Sequence, residues 1–254
     1  MGKPSFAGKR VLLLQGPVGP FFWNLARDLR GQGAQVFKFN FNAGDWLFYP
    51  RGAQSYRGSL QGWPATLRAF MQAQAIDVVL VFGDCRPVHA CVRDLCTQLG
   101  CALGVFEEGY LRPDYVTFEP FGVNGHSVFG QGLQEWLFAR TLLDAAPARK
   151  TEALHTVKVG NSYWHAAMWG MAYFFAAWLG QKCWNNGLHH RPMTVADAPY
   201  WWLSFGRKAW YKIKESGIEA QLCNTWHKNF FLVPLQVYND AQISVHSDFA
   251  SVCE

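Results

Sequence analysis

Two adjacent carboxylates, Glu107 and Glu108, stand in the segment FEEGYLRP, followed by Gly109 and then Arg112. Neighbours on a strand point to opposite faces, so only one of the pair can face a cleft at the strand's end. Partial burial and a like-charged neighbour raise a carboxylate's pKa towards that of a useful acid or base. A plainer role is also open, a carboxylate paired with Arg112 to hold the loop. Arg86 in GDCRP and Arg112 suit a sugar carboxylate or an anionic headgroup, because a guanidinium grips such groups bidentately. Asp84 is placed to orient Arg86. In GPVGPFF, Gly16 and Gly19 let the backbone pass close to a ligand, and a helix start behind them offers N–H groups to an anion. A rigid strand-to-helix turn explains the same residues. Asp240, in PLQVYND, follows an apolar run; with Asn239 it reads as the N-cap of a helix that begins AQISVH. His190 and Arg191, with His189, form a cation-capable loop, read first as a surface turn and second as a phosphate or headgroup contact.

The elements that must position these residues alternate. VLLLQG at 11–16 is a short apolar run ending in glycine, as a buried parallel strand does. Pro20 opens a helix to about Arg30, closed by Gly31 and Gly33. AQVFKFNF at 34–41 gives the second strand, the stretch around WPATLRAFM a helix, and DVVLVFGD at 77–84 the third strand. HACVRDLCTQLG is the next helix and ALGVFEEG at 102–109 the next strand. This order predicts a doubly wound parallel sheet of the α/β class, Rossmann-like, with ligands outside the carboxyl ends of the strands. The loops at those ends are GPVGP, FNAGDW, GDCRP and EEGYLRP.

Beyond residue 127 the pattern changes to a helical, Trp-rich region over 128–225, with helices expected at GQGLQEWLFARTLLDAA and over 161–184. The apolar stretch 166–180 is shorter than the roughly 20 residues that cross a bilayer. Trp164, Trp169, Trp178, Trp184, Trp201, Trp202 and Trp210, with Arg207, Lys208, Lys212 and Lys214, resemble an aromatic belt flanked by basic residues and predict contact with a membrane interface. FFLVPLQV at 230–237 reads as a strand again, so 1–127 and 226–254 are expected to be a first Rossmann-like domain and the start of a second.

Composition narrows the class. Of 254 residues, 50% are hydrophobic, 16% aromatic and only 16% charged, and twelve are Trp, so a large core is assured and some tryptophans are left for lipid or sugar. The net charge of +5 suits phosphate-bearing or anionic-lipid partners, but the basic residues are too scattered to track a nucleic acid. Cys85, Cys91, Cys96 and Cys101 show no CxxC pair and no histidine at zinc-ligand spacing, and read first as free buried thiols of a reducing cytoplasm and only distantly as a metal site. No Asp-x-Asp or His/carboxylate cluster is visible, so no metal and no cofactor are expected. The N-terminus lacks the apolar core of a secretory signal.

Four segments in series, LLLQGPVGPFF at 12–22, GDCRPVHA at 83–90, FEEGYLRPDYVTFE at 106–119 with GVNG at 122–125, and PLQVYNDAQI at 234–243, resemble the KpsS/LipB family of capsule biosynthesis proteins, with HHRP at 189–192 a weaker fifth. The resemblance implies a two-domain GT-B fold and a retaining β-Kdo transferase. Such an enzyme takes Kdo from CMP-Kdo and places it on phosphatidylglycerol, at the cytoplasmic face of the inner membrane and beside other capsule-assembly proteins. On that reading Asp240 is the nucleophile, Glu107 (at the more telling position) or Glu108 the base, and Gln236, with the residues above, contacts substrate. Family members continue through a second Rossmann-like domain with a Lys/His/Pro segment. This sequence ends before it, which implies a fragment whose nucleotide surface lies past Glu254. A module without catalysis, binding lipid or a partner protein in capsule assembly, is the rival reading. A nucleotide-sugar epimerase is disfavoured by the lack of GxGxxG and of an acidic ribose ligand.

Overall fold

A computed structural model describes residues 6–109, 114–127, 162–184, 187–189 and 198–231, without the side chains of Ser162, Tyr163, Ala198, Trp201, Trp202 and Phe205. The chain divides into two compact units, 1–190 and 191–254.

In the first unit the apolar runs become β1 (Arg10–Leu13), β2 (Gln35–Asn40), β4 (Val78–Phe82) and β5 (Ala102–Glu108), with the two-residue β3 (Gln54–Ser55) and β6 (Val116–Pro120) at the edges. The strand order is β3-β2-β1-β4-β5-β6. All pairings are parallel except β5 with β6, where Glu107 lies opposite Thr117. The α/β reading therefore stands, as a mostly parallel sheet with one antiparallel edge. Alternation along the strands sends Leu12, Val79, Val81, Leu103 and Val105 to one face, under α3 (Trp63–Ala73) and α4 (Val92–Leu99). Val11, Leu13, Leu80 and Phe82 go to the other, under α1 (Phe21–Gly31). Both faces are covered, which is why the strands read as unbroken apolar runs. Trp63 is fully buried in the first core, its indole N–H donating to Val88 O at 2.8 Å, so this tryptophan is core.

FNAGDW, expected as a loop, contains the six-residue helix α2 (Ala43–Phe48), started by Asn42, whose side chain accepts from Asp45 N at 2.9 Å. α5 (Ser162–Leu179) packs against α2 through small residues. The Tyr173 ring lies over Gly44, where an added Cβ would come within 2.6 Å of it, and Gly180 abuts Ala43. The opposite face of α5 is largely exposed: Trp164, Met168, Phe175 and Leu179 are each 61% exposed.

The second unit's described part holds α6 (Ala198–Lys214) and α7 (Ile218–Cys223). Trp210 is 63% exposed, with Leu203, Tyr211 and Ile213 also open. No helix among the described residues is long and apolar enough to cross a membrane. The expected helix at 130–146 and nearly all of the strand at 230–237 lie outside the described residues.

Candidate functional site

Three of the four motif segments meet at the carboxyl end of the sheet. The turn after β4 brings Gly83 to φ +70°, a left-handed conformation that glycine takes without strain. The backbone there swings Arg86 towards β1, and its Nη1 donates to Gly16 O at 2.7 Å. The guanidinium stands 5.8 Å above the Phe82 ring, a cation–π contact. A methyl group on Gly83 would lie 3.5 Å from Glu107 Oε2 and 3.6 Å from Arg86 Nε, so acid and base converge over one bare residue.

Glu107 and Glu108 do point to opposite faces. Glu107, half-buried, shares the face of Leu103 and Val105; Glu108 is exposed. Burial pushes the Glu107 carboxyl above its usual range, helped by the charges of Glu108 and Asp84. The Glu108 N–H, donating to Oε1 at 2.9 Å, and the Arg86 charge oppose the shift. Such a carboxylate holds its proton more firmly than a solvated one, as a general base needs.

Asp84, nearly buried, joins the GVNG segment to this turn. Its Oδ2 takes Arg93 Nη2 at 3.0 Å and His126 Nδ1 at 2.9 Å, with Val123 N at 3.4 Å. Asp84, Cys85 and His126 thus form a His/carboxylate cluster close enough to hold a metal ion, which the sequence reading did not find because His126 lies 42 positions from Asp84. Arg93 and His126 crowd the same oxygen, so the cluster works as a hydrogen-bonded clasp. Burial, the largest cause, and the Asp84 charge push the Cys85 thiol up to about 12, and burial, with smaller contributions from Cys101 and Cys91, takes Cys96 there; both stay protonated, as structural thiols do. His89, in the stretch read as a helix, is 2% exposed and braces the turn: Nδ1 sits 2.5 Å from Gly83 O, a carbonyl that only accepts, so Nδ1 carries the hydrogen.

Gly19 has φ +114°, and Trp169 of α5 packs on it; an added Cβ would stand 2.6 Å from the indole. Gly16 makes room for Phe22 in the same way, and the backbone of Tyr115 lies against Gly109. The helix start behind the loop has no side-chain cap. His189 is half-buried rather than on a surface turn. Burial lowers its pKa, the Asp45 charge opposes this, and Asn42 Nδ2 holds the adjacent Leu188 carbonyl at 2.9 Å. Arg112, His190, Arg191, Gln236 and Asp240 lie outside the described residues.

Two buried residues escaped the sequence reading. Lys38, within β2, is 4% exposed, and Asp45, within α2, is 8% exposed. The alternating pattern of AQVFKFNF suggests that Lys38 points to solvent. The signal against this was the parallel sheet itself, whose strands are covered on both faces.

A doubly wound, mostly parallel sheet with charged side chains gathered at the carboxyl ends of its strands is a Rossmann-like α/β fold, the class in which ligands bind at that end. The particular family follows from comparison: residues 77–254 match the model of the family "Capsule polysaccharide biosynthesis protein", and the chain belongs to that family. It is 32% identical over 250 residues to the "Capsule polysaccharide modification protein LipB" of Neisseria meningitidis serogroup B, and 34% identical over 252 residues to the "Capsule polysaccharide export protein KpsS" of Escherichia coli. Each match covers 97% of this chain, which spans 58% and 61% of those two relatives respectively.

Proposed function

We propose that this chain is the N-terminal portion of a retaining glycosyltransferase of capsule synthesis that moves Kdo from CMP-Kdo to a phosphatidylglycerol hydroxyl. The observation that carries the reading is the convergence of half-buried Glu107 with Arg86 over Gly83 at the ligand end of the sheet. The family's capsule role and the names of the relatives fit it. In this reading the Asp240 carboxylate attacks the anomeric carbon, and the bond to CMP breaks with CMP leaving as the phosphate anion. The acceptor hydroxyl then attacks the same carbon, Glu107 takes its proton, and Asp240 is released. Arg86 and Arg112 hold the sugar carboxylate or the headgroup phosphate. Glu108, Gly16, Gly19, Gly109, Gln236, His190 and Arg191 complete the substrate contacts.

The work is placed at the cytoplasmic face of the inner membrane. The largely exposed face of α5 and exposed Trp210 beside Arg207, Lys208, Lys212 and Lys214 support this placement. The test is mass spectrometry of the full-length protein incubated with CMP-Kdo and no acceptor. A Kdo-sized mass on the peptide holding Leu235 to Ile243, lost in Asp240→Asn, is the expected result. The same peptide unmodified while transfer proceeds defeats the double displacement. The word "export" in a relative's name, with the largely exposed α5 face, favours the rival reading, a module that binds lipid or a capsule-assembly partner without catalysis. Full-length protein without transferase activity would support it.

A further inference from the structure

Below the Gly16–Gly19 loop lies a cavity of about 20 Å³, walled by Trp23, Phe48, Tyr49 and Tyr173, with Lys38 and Asp45 as its charged groups. Lys38 donates to Phe39 O and to Asn40 Oδ1 at 3.1 Å. Its third ammonium hydrogen has no acceptor among the described residues. Asp45 accepts from Gln15 Nε2 at 3.2 Å, Phe41 N at 3.0 Å and the Tyr173 hydroxyl at 3.0 Å. A carboxylate offers about four acceptor sites, so one remains. The cavity therefore presents one unused donor and one unused acceptor, both buried, and each costly to leave unmade.

The complement of such a pair is a hydroxyl group, which accepts from the ammonium and donates to the carboxylate. Size agrees, since the void admits about one oxygen-sized group, a water or an alcohol oxygen, and no phosphate. Charge agrees too: Lys38 and Asp45 act on each other and cancel, which favours a neutral group over an anion. Aromatic walls suit the C–H faces of a polyol, as ligand sites combine apolar walls with a few placed polar groups. Gly16, Pro17 and Gly19 line the same cavity, so it adjoins the loop that Arg86 holds.

We propose that this cavity seats one hydroxyl of a polyhydroxy ligand, between Lys38 and Asp45. The ligand is a sugar or a glycerol headgroup, and in taking these as the donor sugar or the acceptor headgroup the inference rests on the transferase reading above.

The experiment is saturation-transfer NMR on the whole chain, irradiating aromatic protons, with glycerol in one arm and methyl glucoside in the other. At least one alcohol is expected to receive saturation, and its binding to fall about tenfold or more in Lys38→Met and in Asp45→Asn, a loss typical of a charged hydrogen-bond partner. Circular dichroism confirms the fold of each variant. Glycerol alone points to the headgroup source and the glucoside alone to the sugar source. No saturation transfer to either alcohol in the wild-type chain, or equal binding in a folded variant, overturns the proposal and leaves the cavity to a water molecule. Because binding is read without turnover, this result is separate from the fate of the transferase reading.

Discussion

Arg86 Nη1 and the carbonyl oxygen of Gly16 are 2.7 Å apart, and this one hydrogen bond ties the turn after β4 to the loop after β1. The same guanidinium stands beside Glu107 over Gly83. Lysine at this position keeps the charge but not the planar guanidinium whose Nη1 reaches the carbonyls of Gln15 and Gly16. Arg86→Lys in the full-length protein is therefore expected to lose transfer by roughly ten- to a hundredfold, the worth of a charged hydrogen bond, with an unchanged circular dichroism spectrum. Full activity in the variant would remove Arg86 from the site.

Glu107→Gln keeps size and loses the base. Transfer by the full-length protein should fall by about 10²–10⁴, while the glycosyl adduct on Asp240 still forms, because proton removal belongs to the second step. The pH profile gives a second check. A base works deprotonated, so activity falls as pH drops through its pKa. Burial raises that pKa, so the acid limb lies above the range of a solvated glutamate. A limb at an ordinary carboxylate pKa counts against Glu107.

Lys38 sets a stability slope of its own. Burial, first, and then the Arg86 charge lower its pKa from 10.5 to about 8, against the pull of Asp45. Between about pH 8 and 10.5 the unfolded chain holds this proton and the folded chain does not, so stability from this group rises with pH across that window. Below pH 8 the penalty is fully present, on the order of 3 kcal/mol. Lys38→Met should raise the neutral-pH Tm and flatten the slope between pH 8 and 10.5, measured by thermal melts. A variant with a lower Tm and an unchanged slope contradicts the assignment.

The α2–α5 seam has no room for a side chain. A Cβ on Gly180 would lie 2.2 Å from Ala43 Cβ. Gly180→Val should cost about 1–3 kcal/mol, the usual range for overpacking, read as a lower urea midpoint. An unchanged midpoint would mean that the seam opens without cost.

Membrane contact is testable by sedimentation with vesicles. Binding should rise with anionic lipid and fall with salt, since the basic residues of α6 are screened. Replacing Trp201, Trp202 and Trp210 with Ala should weaken it without unfolding the chain. Binding that ignores both salt and these residues points to another surface.

The strands could be read from sequence because burial on both faces writes an unbroken apolar run, and the helices between them carry their own starts and stops. β6 was missed because VTFEP mixes polar and apolar residues and ends in proline; antiparallel pairing with β5 supplies the order. α2 was missed because six residues that include a glycine have little intrinsic helicity; the Asn42 cap and the packing of Tyr173 decide it. Glu107, Arg86 and Gly16 were legible as separate signals, and the sheet shows why they belong together. Lys38 and Asp45 were not, since seven positions of spacing between a lysine and an aspartate look like two solvated charges until both are enclosed.

The glycines and alanine at the α2–α5 seam have one more consequence. The inner side of α5 is keyed by Tyr173 and Trp169 to positions that accept no added atom, while Met168, Phe175 and Leu179 on its outer side are each 61% exposed. The helix can therefore exchange its outer residues freely without disturbing the Gly16–Gly19 loop beneath it. What α5 meets outside and what it covers inside are two independently adjustable properties of a single rod.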